Sequence, residues 1–265
     1  MERQTKGRVL IVAGSDSGGG AGIQADIRTV TVLGGHAMTA VTALTAQNTL
    51  GVFGVHPVPA EFVARQMRVA LEDIGADAVK IGMLGTADVV EAVAEALESP
   101  LAAGIPIVLD PVMAATRGGA LLDEAGVTAM RRRLLPMATL FTPNLPEAAA
   151  LTGLPASTAG EMGSVAKALL ALGARNILLK GGHLAGDELV DLLVGTDARS
   201  EFRHPRINSR HTHGTGCTLS SAIAAGLATG LPLVEAVARA VAYVQAAVLA
   251  APGYGEGNGP LGIGN

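Results

Sequence analysis

RVLIVAGSDSGGGAGIQADIRTVTVLG, residues 8–34, is the stretch whose reading decides the fold class. Residues 8–14, RVLIVAG, form a short apolar run that closes on Gly14. The run is continuous rather than alternating, as in a strand buried on both faces. A cluster of Ser, Asp and Gly follows. From Ala21 the period changes, with Ile23, Ile27, Val30 and Leu33 at helical spacing. Strand, glycine-rich turn and helix together open a β–α unit.

The same alternation continues along the chain. Residues 36–48 read as a strand with its exit loop. Residues 59–75 read as an amphipathic helix with apolar Phe62, Val63, Met67, Val69, Leu71 and Ile74. Strands are expected over 76–84, 105–113, 138–144 and 176–182. Helices are expected over 87–98, 123–135, 146–152 and 160–172. Residues 188–195 read as the start of an antiparallel return, and helices over 216–230 and 232–250 close the chain. The expected fold is α/β, a parallel sheet covered by helices on both faces. No composition break marks a linker, so residues 1–265 are expected to form one domain. The glycine-rich end, PGYGEGNGPLGIGN, is either a loose tail or a flap over a site.

Composition excludes several classes. Aromatic residues are 2% of the chain and Trp is absent, so the core is built from Ala, Val, Leu and Ile. A net charge of −4 without long Lys/Arg runs disfavours nucleic acid as a partner. The short run Arg131-Arg132-Arg133 reads as a solvated helix face. One cysteine makes neither an internal disulfide nor a Cys-based metal site. The early run VLIVAG is too short for a signal-peptide core, and no run of about 18 apolar residues suggests a membrane span. A cytoplasmic protein is the expectation.

In such sheets, ligands bind beyond the carboxyl ends of the strands. Six expected strand ends carry small or polar residues there: Ser15 to Gly20, Gln47-Asn48, Gly82-Met83, Asp110, Asn144 and Lys180 to His183. GTGC, residues 214–217, opens a helix. Two glycines let amide N–H groups face one point, and the first helical turn adds unpaired donors and the positive dipole end. This is an anion site, and it places the lone Cys217 where a thiolate is favoured; the bland alternative is a small buried Cys behind a helix start. In LLKGGH (178–183), Lys180 either meets phosphate oxygens, with His183 near, or is a solvated turn residue. In TPNLPEAAAL (142–151), Asn144 and Glu147 are either a capping box or the oxygen ligands of a hydrated Mg²⁺. The first turn lacks G-x-G-x-x-G, because Ile23 follows Gly18 and Gly20, and no G-x-x-x-x-G-K-[ST] occurs in the chain. Asp26 and Gln47 are candidates for reading a small polar ring, since an amide donates and accepts at once.

Taken together, AGSDSGGGAGIQAD, TAQNTLGV, KIGML, LDPVM, TPNLPEAAAL, LLKGGH and THGTGCTLS resemble, in order, the hydroxymethylpyrimidine/phosphomethylpyrimidine kinases of the ribokinase-like superfamily. They span residues 13–220. The resemblance implies a three-layer α/β/α fold and an ATP-dependent kinase of thiamine biosynthesis. The implied substrates are 4-amino-5-hydroxymethyl-2-methylpyrimidine and its monophosphate, with Mg²⁺ as the implied cofactor. Gly214, Thr215 and Gly216 are implied as the anion hole, and Cys217 as the base that takes the substrate hydroxyl proton. Gln47, Asp26, Met83 and Gly14 are implied at the pyrimidine. Lys180, Asn144, Thr215 and Gly216 are implied at ATP, and Glu147, Asn144 and Asp110 at the metal. A homodimer is implied as well. Two loops depart from the family pattern. After DPVM the family often carries a loop lysine, whereas this chain reads AATRGGALL, with Arg117 as the one cation available there. The first loop reads SDSGGGAG rather than SDPSGGAG. A vitamin B6 kinase and an inactive ligand sensor are the alternatives on the same scaffold.

Overall fold

The computed structural model describes residues 7–115, 119–195 and 199–264. Strand β1 (Arg8–Asp16) lies centrally and runs parallel to β2 (His36–Asn48) on one side and β4 (Ala78–Ile81) on the other. Beyond β4 come β5 (Ile107–Leu109), β6 (Leu140–Phe141) and β7 (Asn176–Leu179), all parallel. Three antiparallel strands finish the sheet. They are β3 (Gly51–Pro57) beside β2, and β8 (Glu188–Gly195) followed by β9 (Arg199–Pro205) beyond β7. The order is β3-β2-β1-β4-β5-β6-β7-β8-β9.

Side chains of β1 alternate between two cores, as strand geometry requires. Leu10 and Val12 face a layer built by α2 (Ala60–Asp73), α3 (Ala87–Leu97), α4 (Glu124–Arg133), α5 (Leu145–Thr152) and α6 (Ala159–Ala171). Val9, Ile11 and Ala13 face α1 (Gly22–Val32), α7 (Thr215–Ala228) and α8 (Leu233–Leu249). Both faces of the sheet are therefore dry, which is why the central strands read as unbroken apolar runs. No helix is long and apolar enough to cross a membrane among the described residues.

Three expectations are corrected. On α1, Ile23, Val30 and Leu33 lie on the core as their spacing implies, but Ile27 is exposed and Ala25, Asp26 and Thr29 are buried instead. Asp26 faces inward there because Lys80 and Ser221 partner its carboxylate inside. On α2 only Val63, Met67 and Leu71 are buried, at four-residue spacing, and Phe62, Val69 and Ile74 face out. The sequence reading also lacked β3 and β9, and both are edge elements with few buried residues.

Two further features settle open alternatives. Arg132 and Arg133 pair with Glu91 of α3, and Arg133 also with Glu98, so the arginine run is a surface face bridged to its neighbour. The C-terminal segment is packed: Leu261 and Ile263 are buried with Ala25, Ala247 and Val248. Asn258 N–H donates to Thr49 O, and His213 N–H to Gly259 O. It straps the loop after β2 to the loop before α7. Arg117 lies outside the described residues.

Candidate active site

Chain order reverses at β1, because α1 leads from β1 to β2 on one side while β4 lies on the other. A cleft opens at the carboxyl ends of strands at such a point. Here it is a cavity of about 780 Å³, lined by Gly14, Gln47, Met83, Asp110, Asn144, Glu147, Lys180 and Gly214 through Cys217. Sequence positions as far apart as 14 and 217 thus meet in one space.

At the β1–β2 end, Asp16 organises the glycine-rich loop. Its carboxylate accepts from the N–H groups of Gly18, Gly20 and Ala21 at 2.8–3.0 Å and from His213 Nε2 at 2.9 Å. Burial opposes its ionisation, but the His213 contact and these N–H donors hold its pKa below the usual carboxylate value. The Gln47 amide lies 3.1 Å from the same His213 Nε2 and 3.1 Å from Thr45 Oγ1. Two glycines allow this meeting of loops. A Cβ on Gly20 would stand 2.5 Å from His213 Cδ2, and one on Gly214, whose φ is +87°, would stand 1.9 Å from Gly20 O.

Helix α7 begins directly beneath. Helices α3, α4 and α5 are capped by the side chains of Thr86, Asp123 and Asn144, but α7 has no side-chain cap. Its first-turn donors face the cavity, as an anion site requires. Cys217 is half-buried there, with the Gly22 N–H directed at its sulfur. Burial pushes its thiol up to about 11, against the pull of Lys80. This reverses the expectation from the helix N-terminus alone: desolvation of the thiolate outweighs the dipole.

Asp26 does not line the cavity. It is fully buried, with one carboxylate oxygen 2.8 Å from Lys80 Nζ and the other accepting from Ser221 Oγ at 2.7 Å. Both oxygens are occupied and neither is exposed, so its expected role in reading a ring is withdrawn. The buried Asp26–Lys80 pair instead ties α1 to β4, and Lys80 reaches the cavity wall near Cys217. A single Lys inside the apolar strand AVKI was the signal for it.

At the other end, Lys180 is not solvated. Its Nζ lies 2.8 Å from Asp110 Oδ1 and its side chain is only 14% exposed. Asn144 and Glu147 form the reciprocal capping box: Glu147 N–H donates to Asn144 Oδ1 at 2.9 Å, and Asn144 N–H to Glu147 Oε2 at 2.7 Å. Burial and the nearby Asp110 charge push Glu147 up to about 7 despite Lys180. Among the described residues, no three His, Cys, Asp or Glu side chains cluster tightly enough to cage an ion. Two carboxylates sharing one lysine do fit a largely hydrated Mg²⁺ that takes its remaining ligands from water and phosphate.

A family model described as phosphomethylpyrimidine kinase matches residues 16–262. The chain belongs to this family. It is 51% identical to the hydroxymethylpyrimidine/phosphomethylpyrimidine kinase of Streptomyces coelicolor over 96% of this chain and 93% of that one. It is also 51% identical to the thiamine biosynthesis bifunctional protein ThiED of Geobacter sulfurreducens, covering 97% of this chain but 52% of that protein, so it spans about half of that relative. Among solved structures, the ADP complex of Bacillus subtilis pyridoxal kinase matches with a TM-score of 0.88 and 33% identity over 97% of both chains. The fold is ribokinase-like, as the motif order implied. For a phosphomethylpyrimidine kinase, sequence reasoning located the anion loop, Lys180, Asp110 and Gln47 at the cavity. It missed the roles of Asp16, His213 and Thr45, which hold Gln47 and the first loop, and of Lys80, which pairs with Asp26 at the cavity wall. His213 stands beside GTGC, but only the fold brings Asp16 to it.

Proposed function

We propose that this chain is an ATP-dependent kinase of thiamine biosynthesis that phosphorylates 4-amino-5-hydroxymethyl-2-methylpyrimidine and then its monophosphate. One observation carries the reading. A half-buried amide, Gln47, stands in the same cavity as an uncapped helix N-terminus and the Lys180–Asp110 pair. A flat polar ring and a polyphosphate can therefore lie in one cavity, with the hydroxymethyl arm between them. The substrate oxygen attacks the γ-phosphorus, its bond to the β-phosphate oxygen breaks, and ADP leaves. Backbone donors of Gly214, Thr215 and Gly216 stabilise the transferring group, and Lys180 neutralises the phosphate oxygens. Cys217 Sγ, as thiolate, accepts the hydroxyl proton. Gly14 and Met83 form the wall beside the ring. Mg²⁺ held by Asp110 and Glu147, with Asn144 at the shell, would supply charge neutralisation between the phosphates. The whole chain, residues 1–265, acts as one kinase domain, a homodimer in the cytoplasm, where ATP is at hand and a lone thiol stays reduced.

The test is ADP production with each pyrimidine, run beside pyridoxal. The pyrimidine is expected to give the larger kcat/KM. Equal or greater kcat/KM on pyridoxal would transfer the assignment to a vitamin B6 kinase, the second reading that the likeness to Bacillus subtilis pyridoxal kinase keeps in view. Tight binding without ADP would make the protein a sensor.

A further inference from the structure

Gln47 is held at both ends, and the hydrogen-bond arithmetic fixes its orientation. Thr45 has one hydroxyl proton. Ser15 O lies 2.9 Å from Thr45 Oγ1 and accepts that proton. The structure sets Gln47 Oε1 3.1 Å from Thr45 Oγ1, where acceptor would face acceptor once that proton is given to Ser15 O; turning the amide over brings its NH₂ end to Thr45 and removes the conflict. At the other end, Asp16 Oδ2 lies 2.9 Å from His213 Nε2 and is an acceptor. The imidazole therefore carries its proton on Nε2, and Gln47 Nε2, set 3.1 Å from it, would face donor with donor, so the amide is turned over to bring its oxygen to His213. The His213 end decides the orientation, since the reverse would face a donor with a donor, and the Thr45 end accommodates it with its proton on the nearer Ser15 O.

His213 is itself held firmly. Gly20 leaves room for its ring, Gly259 O accepts its backbone N–H at 3.2 Å, and Asp16 is anchored by three loop N–H groups. One lone pair of Gln47 Oε1 and one N–H of Nε2 remain for a ligand, side by side and in a fixed order.

We infer that His213 is a positioning residue that sets ring specificity: with Thr45 it locks the Gln47 amide so that the site selects an amino group next to a ring nitrogen. The inference rests on the proposed reading that Gln47 meets the pyrimidine. An aminopyrimidine edge offers a donor and an adjacent acceptor in one order. The 4-oxo analogue, with a carbonyl and an adjacent ring N–H, offers the reverse order. A free amide could turn to suit either ring, whereas a locked one cannot, and the mismatch leaves buried polar groups unpaired.

The experiment compares kcat/KM for 4-amino-5-hydroxymethyl-2-methylpyrimidine with that for its 4-oxo analogue in the wild type and four variants. His213→Leu and Thr45→Val each remove one lock, His213→Gln keeps an N–H donor, and Gln47→Leu removes the reader. Thermal melting confirms folding, and Thr45→Val, nearly isosteric, decides if His213→Leu does not fold. The expected result is a fall of about tenfold or more in the amino/oxo ratio for His213→Leu and Thr45→Val, carried in KM, with His213→Gln retaining most of the ratio. Folded lock variants that lose activity equally on both rings, with the ratio unchanged, would overturn the inference and leave His213 a structural residue. If Gln47→Leu also leaves the ratio unchanged, the reading of Gln47 as the ring contact falls with it. If Gln47→Leu alone abolishes the ratio, that reading stands and only the lock is refuted.

Discussion

Cys217 sits between opposing influences, and its titration tells which one governs catalysis. The helix N-terminus and Lys80 favour the thiolate, while burial favours the thiol and carries the pKa up to about 11. A base must be deprotonated to act, and kcat/KM follows the ionisation of the free enzyme. If Cys217 is the base, kcat/KM rises about tenfold per pH unit above neutrality with no plateau below about pH 10, and alkylation by iodoacetamide climbs in parallel. Cys217→Asp places a carboxylate there that is already ionised, so its profile should lose this limb while keeping part of the rate. Cys217→Ala should lose ~10²–10⁴ in kcat, the scale of a missing base. A flat profile in the wild type would remove the thiol from proton transfer. Lys180 makes a separate prediction. Its ammonium is paired with Asp110 and offsets Glu147, so Lys180→Ala leaves two carboxylates facing the phosphates. A loss of about 10–100-fold in kcat/KM for ATP is expected, as for a charge-assisted contact of ~1.5–3 kcal/mol, with pyrimidine KM little changed. Steady-state kinetics with each substrate varied would separate the two effects. The identities of these side chains were legible in GTGC and LLKGGH. The state of the thiol was not, because burial is supplied by α1, β4 and the tail, far away in sequence.

Elements meet at this site through backbone contacts that exclude a side chain. Gly214 caps α7 in the left-handed region and its Cα lies against Gly20 O of the first loop. Gly214→Ala adds backbone strain to a clash with backbone, and neither loop can yield without moving Asp16, His213 or the α7 donors. The variant is expected to lose at least ~10² in kcat, the scale of a lost anion-hole donor, and to melt several degrees lower. Wild-type kinetics in Gly214→Ala would mean the two loops are not coupled. Element order was largely readable, because continuous apolar runs alternated with helical periods and glycines fell between them. The misreadings share a cause. On α1 the buried face carries Asp26, which only its partners Lys80 of β4 and Ser221 of α7 make tolerable inside. The strands β3 and β9 bury little, so no hydrophobic run announced them. The terminal strap looked like low-complexity coil because its order comes from Thr49, Ala247 and His213, not from its own sequence.

At the scale of the whole molecule, one surface is poorly suited to solvent. β3 is an edge strand, and unpaired edges invite pairing with another chain unless they are blunted. Here Phe53 is 70% exposed, and Leu44, Leu50, Val55 and Phe62 are about half exposed on β2, β3, the turn between them and the start of α2. No charged side chain occurs between Leu50 and Pro59 to protect this edge. The patch borders Gln47 and the loop strapped by the C-terminal segment, so covering it would also stabilise the ring-reading end of the cavity. A second copy of the chain, related by a two-fold axis that places β3 near β3, is the simplest cover, since closed cyclic dimers present the same patch from both partners. A stable dimer of this kind would need about 1,200–2,000 Å² of total buried surface, more than one edge strand provides, so the proposed contact would extend onto β2 and the start of α2. Phe53→Asp puts a charge on that edge in each partner, and the two like charges approach across the axis. Sedimentation velocity at micromolar concentration should show a dimer for the wild type and a monomer for Phe53→Asp, with a raised KM for the pyrimidine in the monomer. A wild-type monomer would refute the dimer, and a dimer that survives Phe53→Asp would move the interface away from β3.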